Sequence, residues 1–224
     1  MSDIADPTTD EPRYAWVVVW ACSVALAVIF GVSYSFAAFF EPLAKAFSAQ
    51  RADVSLVFGI SGLVYFVLGA GAGLLADRFG PQRVCSAGML FIAAGLLASS
   101  LAQSMWAIYA AYGVGVGVGI ALVYTPAIAC VQPWFTRRRG LAAGIASAGI
   151  GAGTVAVPLL ASALIAAWQW RQAMQGLAAG VLVVGLLPPC CCAARLPPPP
   201  MQVVRWPATR CARPWRRGSS GGST

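Results

Sequence analysis

The stretch Gly73-Leu74-Leu75-Ala76-Asp77-Arg78-Phe79-Gly80-Pro81-Gln82-Arg83-Val84 decides the fold. Its charges, Asp77, Arg78 and Arg83, stand between two runs with none, Val54 to Ala76 and Val84 to Leu101. About 20 apolar residues in a helix cross the roughly 30 Å hydrocarbon core of a bilayer, so each run is long enough to span it. The stretch therefore predicts a short polar loop between two membrane helices. Gly73 would let a second helix come close, Gly80 would permit the tight turn, and Arg78 with Arg83 would hold the loop in water on the cytoplasmic side.

Working outward from this loop, the same criterion finds six spans in the 224 residues: Tyr14 to Phe40, Val54 to Ala76, Val84 to Leu101, Met105 to Val131, Leu141 to Ala167 and Gln172 to Ala194. The bulk composition agrees, with 59% hydrophobic and 10% charged residues and a mean hydropathy of +0.74. An ordinary soluble domain carries about 25% charged residues, so lipid is the expected solvent. The first run far exceeds a signal-peptide core and is expected to stay in the chain. Basic residues set the orientation. With the amino terminus inside, Arg13, Arg78, Arg83, Arg137, Arg138, Arg139 and six arginines of the tail face the cytoplasm, while Lys45, Arg51 and Arg171 face outside. Both termini are thus expected in the cytoplasm, in the cell (inner) membrane. The net charge of +8 is explained by these loops, and no nucleic-acid partner is expected.

Inside the spans, glycines recur four residues apart: Gly69 with Gly73, Gly113 with Gly117, Gly115 with Gly119, Gly140 with Gly144, and Gly149 with Gly153. Such grooves let backbones approach in lipid and predict a tightly packed bundle. The alternation from Gly113 to Gly119 would suit a strand, but an open strand in hydrocarbon leaves backbone groups unpaired, so a helix is expected there. Pro126 and Pro158 fall within the fourth and fifth spans, where bends are expected. Seven cysteines and no histidine give no zinc spacing, and Cys22, Cys85 and Cys130 are expected to act as small hydrophobes.

The loop closely resembles the signature of the major facilitator superfamily, in which G-x-L-A-D-R-x-G is followed by basic residues. A second set of stretches, Tyr124-Thr125-Pro126-Ala127, Trp134-Phe135-Thr136-Arg137-Arg138-Arg139-Gly140-Leu141, Ala148-Gly149 and Trp170-Arg171, is similar to the monocarboxylate and oxalate/formate transporter branch. The resemblance covers residues 14–187. It implies an all-α integral membrane fold, with six transmembrane helices forming two inverted three-helix repeats and together one half, the amino-terminal one, of a major facilitator fold. It also implies that Gly73, Asp77, Arg78, Gly80 and Arg83 form a conformational latch, with Asp77 near the positive end of a helix from the other half. Arg137, Arg138, Arg139 and Gly140 would form the cytoplasmic loop between helices four and five. One departure concerns the substrate: many members carry an arginine early in the fourth helix, where this chain has Tyr109 and no base.

No enzyme is expected, because the chain lacks histidine, an intramembrane carboxylate pair and a Walker sequence, and no cofactor or metal is implied. No span holds a buried charge, so a polar cavity on this half must be built from hydroxyls. The resemblance places the first and fourth helices at the central cavity, which makes Tyr34, Tyr124, Tyr109 and Tyr112 the candidates, although tyrosines near span ends also suit the interfacial belt.

Residues 1–13 are expected as a cytoplasmic segment, 14–187 as the six-helix bundle with its last helix allowed to run to 194, and 188–224 as a disordered tail rich in proline and arginine. Pro188 and Pro189 interrupt the sixth helix, and the abrupt change of composition suggests a frameshift near Leu187, a native disordered tail being the other reading. The expected function is secondary transport of a small organic anion such as a monocarboxylate, with a proton or an exchange anion, by alternating access. The partners are then the bilayer and a second six-helix bundle, and a truncated half would be inactive alone. The alternatives are a half-size transporter acting as a homodimer and a non-transporting membrane scaffold.

Overall fold

In lipid each backbone amide must be satisfied within the protein, and apolar runs of this length answer that requirement as helices. The structure, a computed structural model, describes residues 13–131 and 139–185, and every regular element among the described residues is a helix. They are α1 (Arg13–Phe47), α2 (Arg51–Phe79), α3 (Pro81–Ser100), α4 (Met105–Val131), α5 (Arg139–Ala167) and α6 (Trp170–Gly185). The first five are long and apolar enough to cross a membrane. The sixth is described over 16 residues. Its expected continuation to 194 and the expected tail, 188–224, lie outside the described residues, as do residues 1–12.

Several boundaries differ from expectation, those of the first two helices for one reason. The first helix was expected to stop at Phe40, before Glu41, and the second to start at Val54 and stop at Ala76. Instead α1 runs on through Pro42 to Phe47, and α2 spans Arg51 to Phe79. Charge ends the hydrocarbon layer without ending a helix. Beyond the core, Lys45 Nζ donates to Glu41 Oε1 at 2.6 Å one turn away, a pairing that supports helix. At the start of α2, the Gln50 amide donates to Asp53 Oδ2 at 3.1 Å and closes the first turn.

Helix α4 keeps its expected bounds but not a uniform winding. After a short α-helical start capped by the Ser104 hydroxyl, Tyr109–Val116 is π-helical, and Gly117–Val131 returns to α geometry.

The strongest pairing is α1 along α5, while α2 and α3 both lie on α4 and α3 also lies on α6. Exchanging the first three helices for the last three turns α1–α5 into α4–α2 and α3–α6 into itself, the pattern two inverted repeats produce. The interior is filled by Leu26, Ile29, Phe39, Leu43, Met89, Ile92, Leu96, Ile108 and Met174. Over an apolar 18-residue stretch of each, 61% of α1 is buried but only 17% of α2 and 11% of α5. Helix α1 is therefore central, and α2 and α5 present Leu63, Phe66, Val67, Leu74, Val155 and Leu159 outward, which hydrocarbon accepts and water would not.

Glycine decides the spacing of the seams. A methyl built on Gly149 would fall on the Ser23 carbonyl, and one on Gly153 on the Ala27 carbonyl, so α5 and α1 touch backbone to backbone. The Ser23 hydroxyl donates to the Ile145 carbonyl at 3.2 Å across the same seam. On α4, methyls at Gly117 and Gly119 would reach the Ser61 and Gly88 carbonyls at 2.8 and 2.7 Å. Not every expected pair does this. Gly140 and Gly144 face open space, while Ala142 and Ala146 on the same stretch of α5 are buried.

Candidate functional site

Because the spans hold no charge, the polar groups of the bundle are hydroxyls and carbonyls, and the helices sort them into two kinds. Tyr112 is buried in the core, its ring 4.8 Å from that of Phe36, and its hydroxyl donates to the Val32 carbonyl at 2.9 Å. The Tyr109 hydroxyl donates to the Asp53 carbonyl at 3.0 Å. Both rise from the π-helical turns of α4 and are spent on fastening α4 to α1 and α2.

Tyr34 and Tyr124 belong to the second kind. Phe30 and Tyr34 lie one turn apart on α1, and Phe58 and Tyr65 two turns apart on α2. Tyr34 is half exposed and stands 6.2 Å from Phe58, while Tyr124 meets Phe30 at 5.6 Å and Tyr65 at 5.5 Å, edge to face in both cases. Methyls on Gly59 and Gly62, on α2 between these aromatics, would touch nothing within 4 Å. The Phe30–Tyr65–Tyr124 cluster thus joins α1, α2 and α4. Between α1 and α2 a cavity of about 330 Å³ is lined by Tyr34, Phe36, Ala37, Phe40, Ser55 and Phe58. A second depression of about 610 Å³ lies around the turn from α1 to α2, lined by Phe40, Glu41, Ala44, Lys45, Ala49 and Arg51. Phe40 is common to both.

Sequence reasoning missed Tyr65, because only tyrosines of the first and fourth spans were considered. Its position one heptad after Phe58, among Gly59, Gly62 and Gly69, was the available signal.

At the other end of the bundle, Gly80 has φ +88°, the left-handed region open to glycine, and this single residue joins α2 to α3. Its amide donates to the Ala76 carbonyl at 2.9 Å, and Pro81, which has no amide to satisfy, starts α3. Asp77, Arg78 and Arg83 are exposed, and the Arg78 guanidinium carbon lies 5.6 Å from the Phe79 ring centroid. Gly73 turns inward instead: with Gly69 it brackets Thr125, whose hydroxyl donates to the Gly69 carbonyl at 3.1 Å. Arg137, Arg138 and the Arg139 side chain lie outside the described residues, while Gly140 is exposed in the first turn of α5.

Six helices, a one-residue turn between the second and third, and uncharged seams set by glycine are thus found together. The Major Facilitator Superfamily profile matches residues 21–217. The chain belongs to this superfamily. Major facilitator proteins are membrane transporters and not enzymes, so the chain is read as a multi-pass membrane protein of that family. Over 134 residues it is 37% identical to monocarboxylate transporter 13 of Bos taurus, covering 59% of this chain and 31% of the relative. It is 33% identical over 135 residues to monocarboxylate transporter 3 of Rattus norvegicus, covering 60% and 28%. It is also 33% identical over 141 residues to the fujikurins efflux protein of Gibberella fujikuroi, covering 61% and 30%. The chain spans under a third of the length of these curated relatives.

Proposed function

We propose that this chain supplies one six-helix half of a secondary transporter for a small organic anion such as a monocarboxylate. Transport is by alternating access, with a proton or exchange anion moving alongside. The observation that carries the proposal is the likeness to monocarboxylate transporter 13 at 37% identity, in a chain whose family is one of transporters. The helices described here are one bundle, and rocking needs a second bundle to rock against. In this reading the bundle alone does not transport. Both termini face the cytoplasm, and the loop of Gly73, Asp77, Arg78, Gly80 and Arg83 latches the two halves on that side, next to the Arg137–Gly140 loop. Residues 14–187 form the bundle and 188–224 a tail beyond it. Tyr34 and Tyr124 are the hydroxyls offered to substrate, and Tyr109 and Tyr112 support the wall behind them.

The test is uptake of labelled lactate, formate and oxalate into proteoliposomes. The chain alone is expected to give none, and the chain reconstituted with a second major facilitator half is expected to take up at least one. Uptake by the chain alone, with a specific crosslinked dimer, would instead establish a half-size homodimeric transporter. Labelling from the two sides of the membrane that put Arg78 and Arg137 on opposite faces would end the proposed topology.

A further inference from the structure

The tyrosines of the bundle differ in what their hydroxyls meet. Those of Tyr109 and Tyr112 donate to backbone carbonyls, at 3.0 and 2.9 Å, and are occupied there. Tyr65 and Tyr124 make no bond of that kind among the described residues. Their rings meet edge to face at 5.5 Å and 88°, and their hydroxyls interact with each other. A phenol has one proton to donate. Two phenols facing each other share one hydrogen bond, so one of their two protons is left over, with no acceptor among the described residues. Both residues are only partly buried.

Helix α2 grips this part of α4 twice, one turn apart. The Thr125 hydroxyl donates to the Gly69 carbonyl at 3.1 Å, and Tyr65, four residues before Gly69, sets its ring against that of Tyr124. From α1, Phe30 meets the Tyr124 ring edge to face at 5.6 Å. Aromatic pairs prefer ring edge on ring face, so the two contacts fix the tilt of the Tyr124 ring and with it the place of its hydroxyl. No charge on α2 is near. Asp53 and Asp77 stand twelve residues before and after Tyr65, about 18 Å along the helix axis in each direction. In so apolar a seam, a hydroxyl that accepts from one phenol becomes a stronger donor of its own proton.

We propose that Tyr65 is a positioning residue of the transport site: it braces the Tyr124 ring and donates to the Tyr124 oxygen, so that the Tyr124 proton is held out to an acceptor oxygen of the bound substrate. Tyr65 itself does not touch that substrate. This rests on the transport reading, in which the Tyr124 hydroxyl is offered to substrate, and adds to it a residue of α2 that acts only through Tyr124.

The experiment has two readouts. In the full chain in lipid nanodiscs, 3-fluorotyrosine at position 124 places a fluorine beside the hydroxyl, and its NMR resonance reports the bond from Tyr65 without any transport. Tyr65→Phe, which keeps the ring and removes the hydroxyl, is expected to shift that resonance, and Tyr65→Leu, which removes the ring as well, to shift it further. A resonance that Tyr65→Phe leaves in place overturns the proposal. The second readout is uptake of labelled lactate, formate and oxalate by the chain reconstituted with a second major facilitator half. Tyr65→Phe is expected to raise KM about two- to tenfold, the worth of one hydrogen bond, and to leave kcat within about twofold. In a Tyr124→Phe background the same change is expected to alter KM by less than about twofold, because no hydroxyl is left to act through. Equal effects in the two backgrounds overturn the proposal, since Tyr65 then acts independently of Tyr124. A fall in kcat and folded yield at constant KM also overturns it, because packing alone would give that. No uptake by the unsubstituted pair of halves overturns the transport reading and the site role with it, whereas the fluorine shift would still establish the bond between the two hydroxyls.

Discussion

Two places where helices meet use the same residue to opposite ends. Along α1–α5 and α3–α4, glycines remove the side chain so that backbones touch, and the seam is closed and dry. On α2, Gly59 and Gly62 remove it where nothing follows, and the space beside them stays open. A glycine pattern in a membrane helix thus marks a place where volume is withheld. What uses that volume depends on what stands opposite: the small Ser23 and Ala27 of α1 in one case, nothing within 4 Å in the other.

The contrast can be broken most strongly at Gly153. Gly153→Leu would drive a side chain into the Ala27 carbonyl, and overpacking costs typically 1–3 kcal/mol and occasionally more. The expected outcome is a chain that no longer gives a monodisperse bundle in detergent. Next comes Arg171→Ala. Arg171 Nη1 donates to the Ser100 carbonyl at 2.7 Å and its guanidinium lies 4.5 Å over the Trp170 ring, fixing the start of α6 to the end of α3. A charge-assisted bond at a helix carboxyl end suggests a loss of about 1–2 kcal/mol, read by steric-trap unfolding in bicelles. Tyr112→Phe should cost less, about 0.6 kcal/mol, the average for hydrogen bonds between membrane helices. The Ser35 hydroxyl also donates to the Val32 carbonyl, at 2.7 Å, so that oxygen is not orphaned. The smallest effect is expected at Gly62→Ala. With nothing within 4 Å of the added methyl, the change should be neutral or stabilising by about 0.5–1 kcal/mol, because alanine favours helix over glycine. A large loss there would mean that α2 is closely packed at Gly62.

Much of the fold was legible. Uncharged length alone located the helices, and the fourth has its expected ends, Met105 and Val131. What lay beyond reach was detail that an apolar run does not encode. A π-helical turn and an α-helical turn bury the same alanines and valines, so Tyr109 to Val116 reads alike in either winding. The extension of α1 past Glu41 was hidden because charge marks the edge of the lipid and not the end of a helix. At the site, the tyrosines of α1 and α4 were found from the resemblance, whereas Tyr65 was not. Its heptad spacing from Phe58 hinted at a shared face, but its meeting with Tyr124 depends on α2 standing beside α4, a tertiary fact.

The wide turns of α4 carry a physical corollary. An i→i+5 winding stores roughly one surplus residue relative to an α-helix. Removing one alanine, Ala110 or Ala111, would let those turns tighten to ordinary α geometry while Gly117–Val131 keeps its register on α2 and α3. The part before the deletion would then keep its facing, without the swing of about 100° that one lost residue imposes on an α-helix, and Tyr109 would stay near the Asp53 carbonyl. Helix α4 thus behaves as two shafts joined by a slack coupling, able to absorb a missing residue that would misalign a uniformly wound helix from end to end.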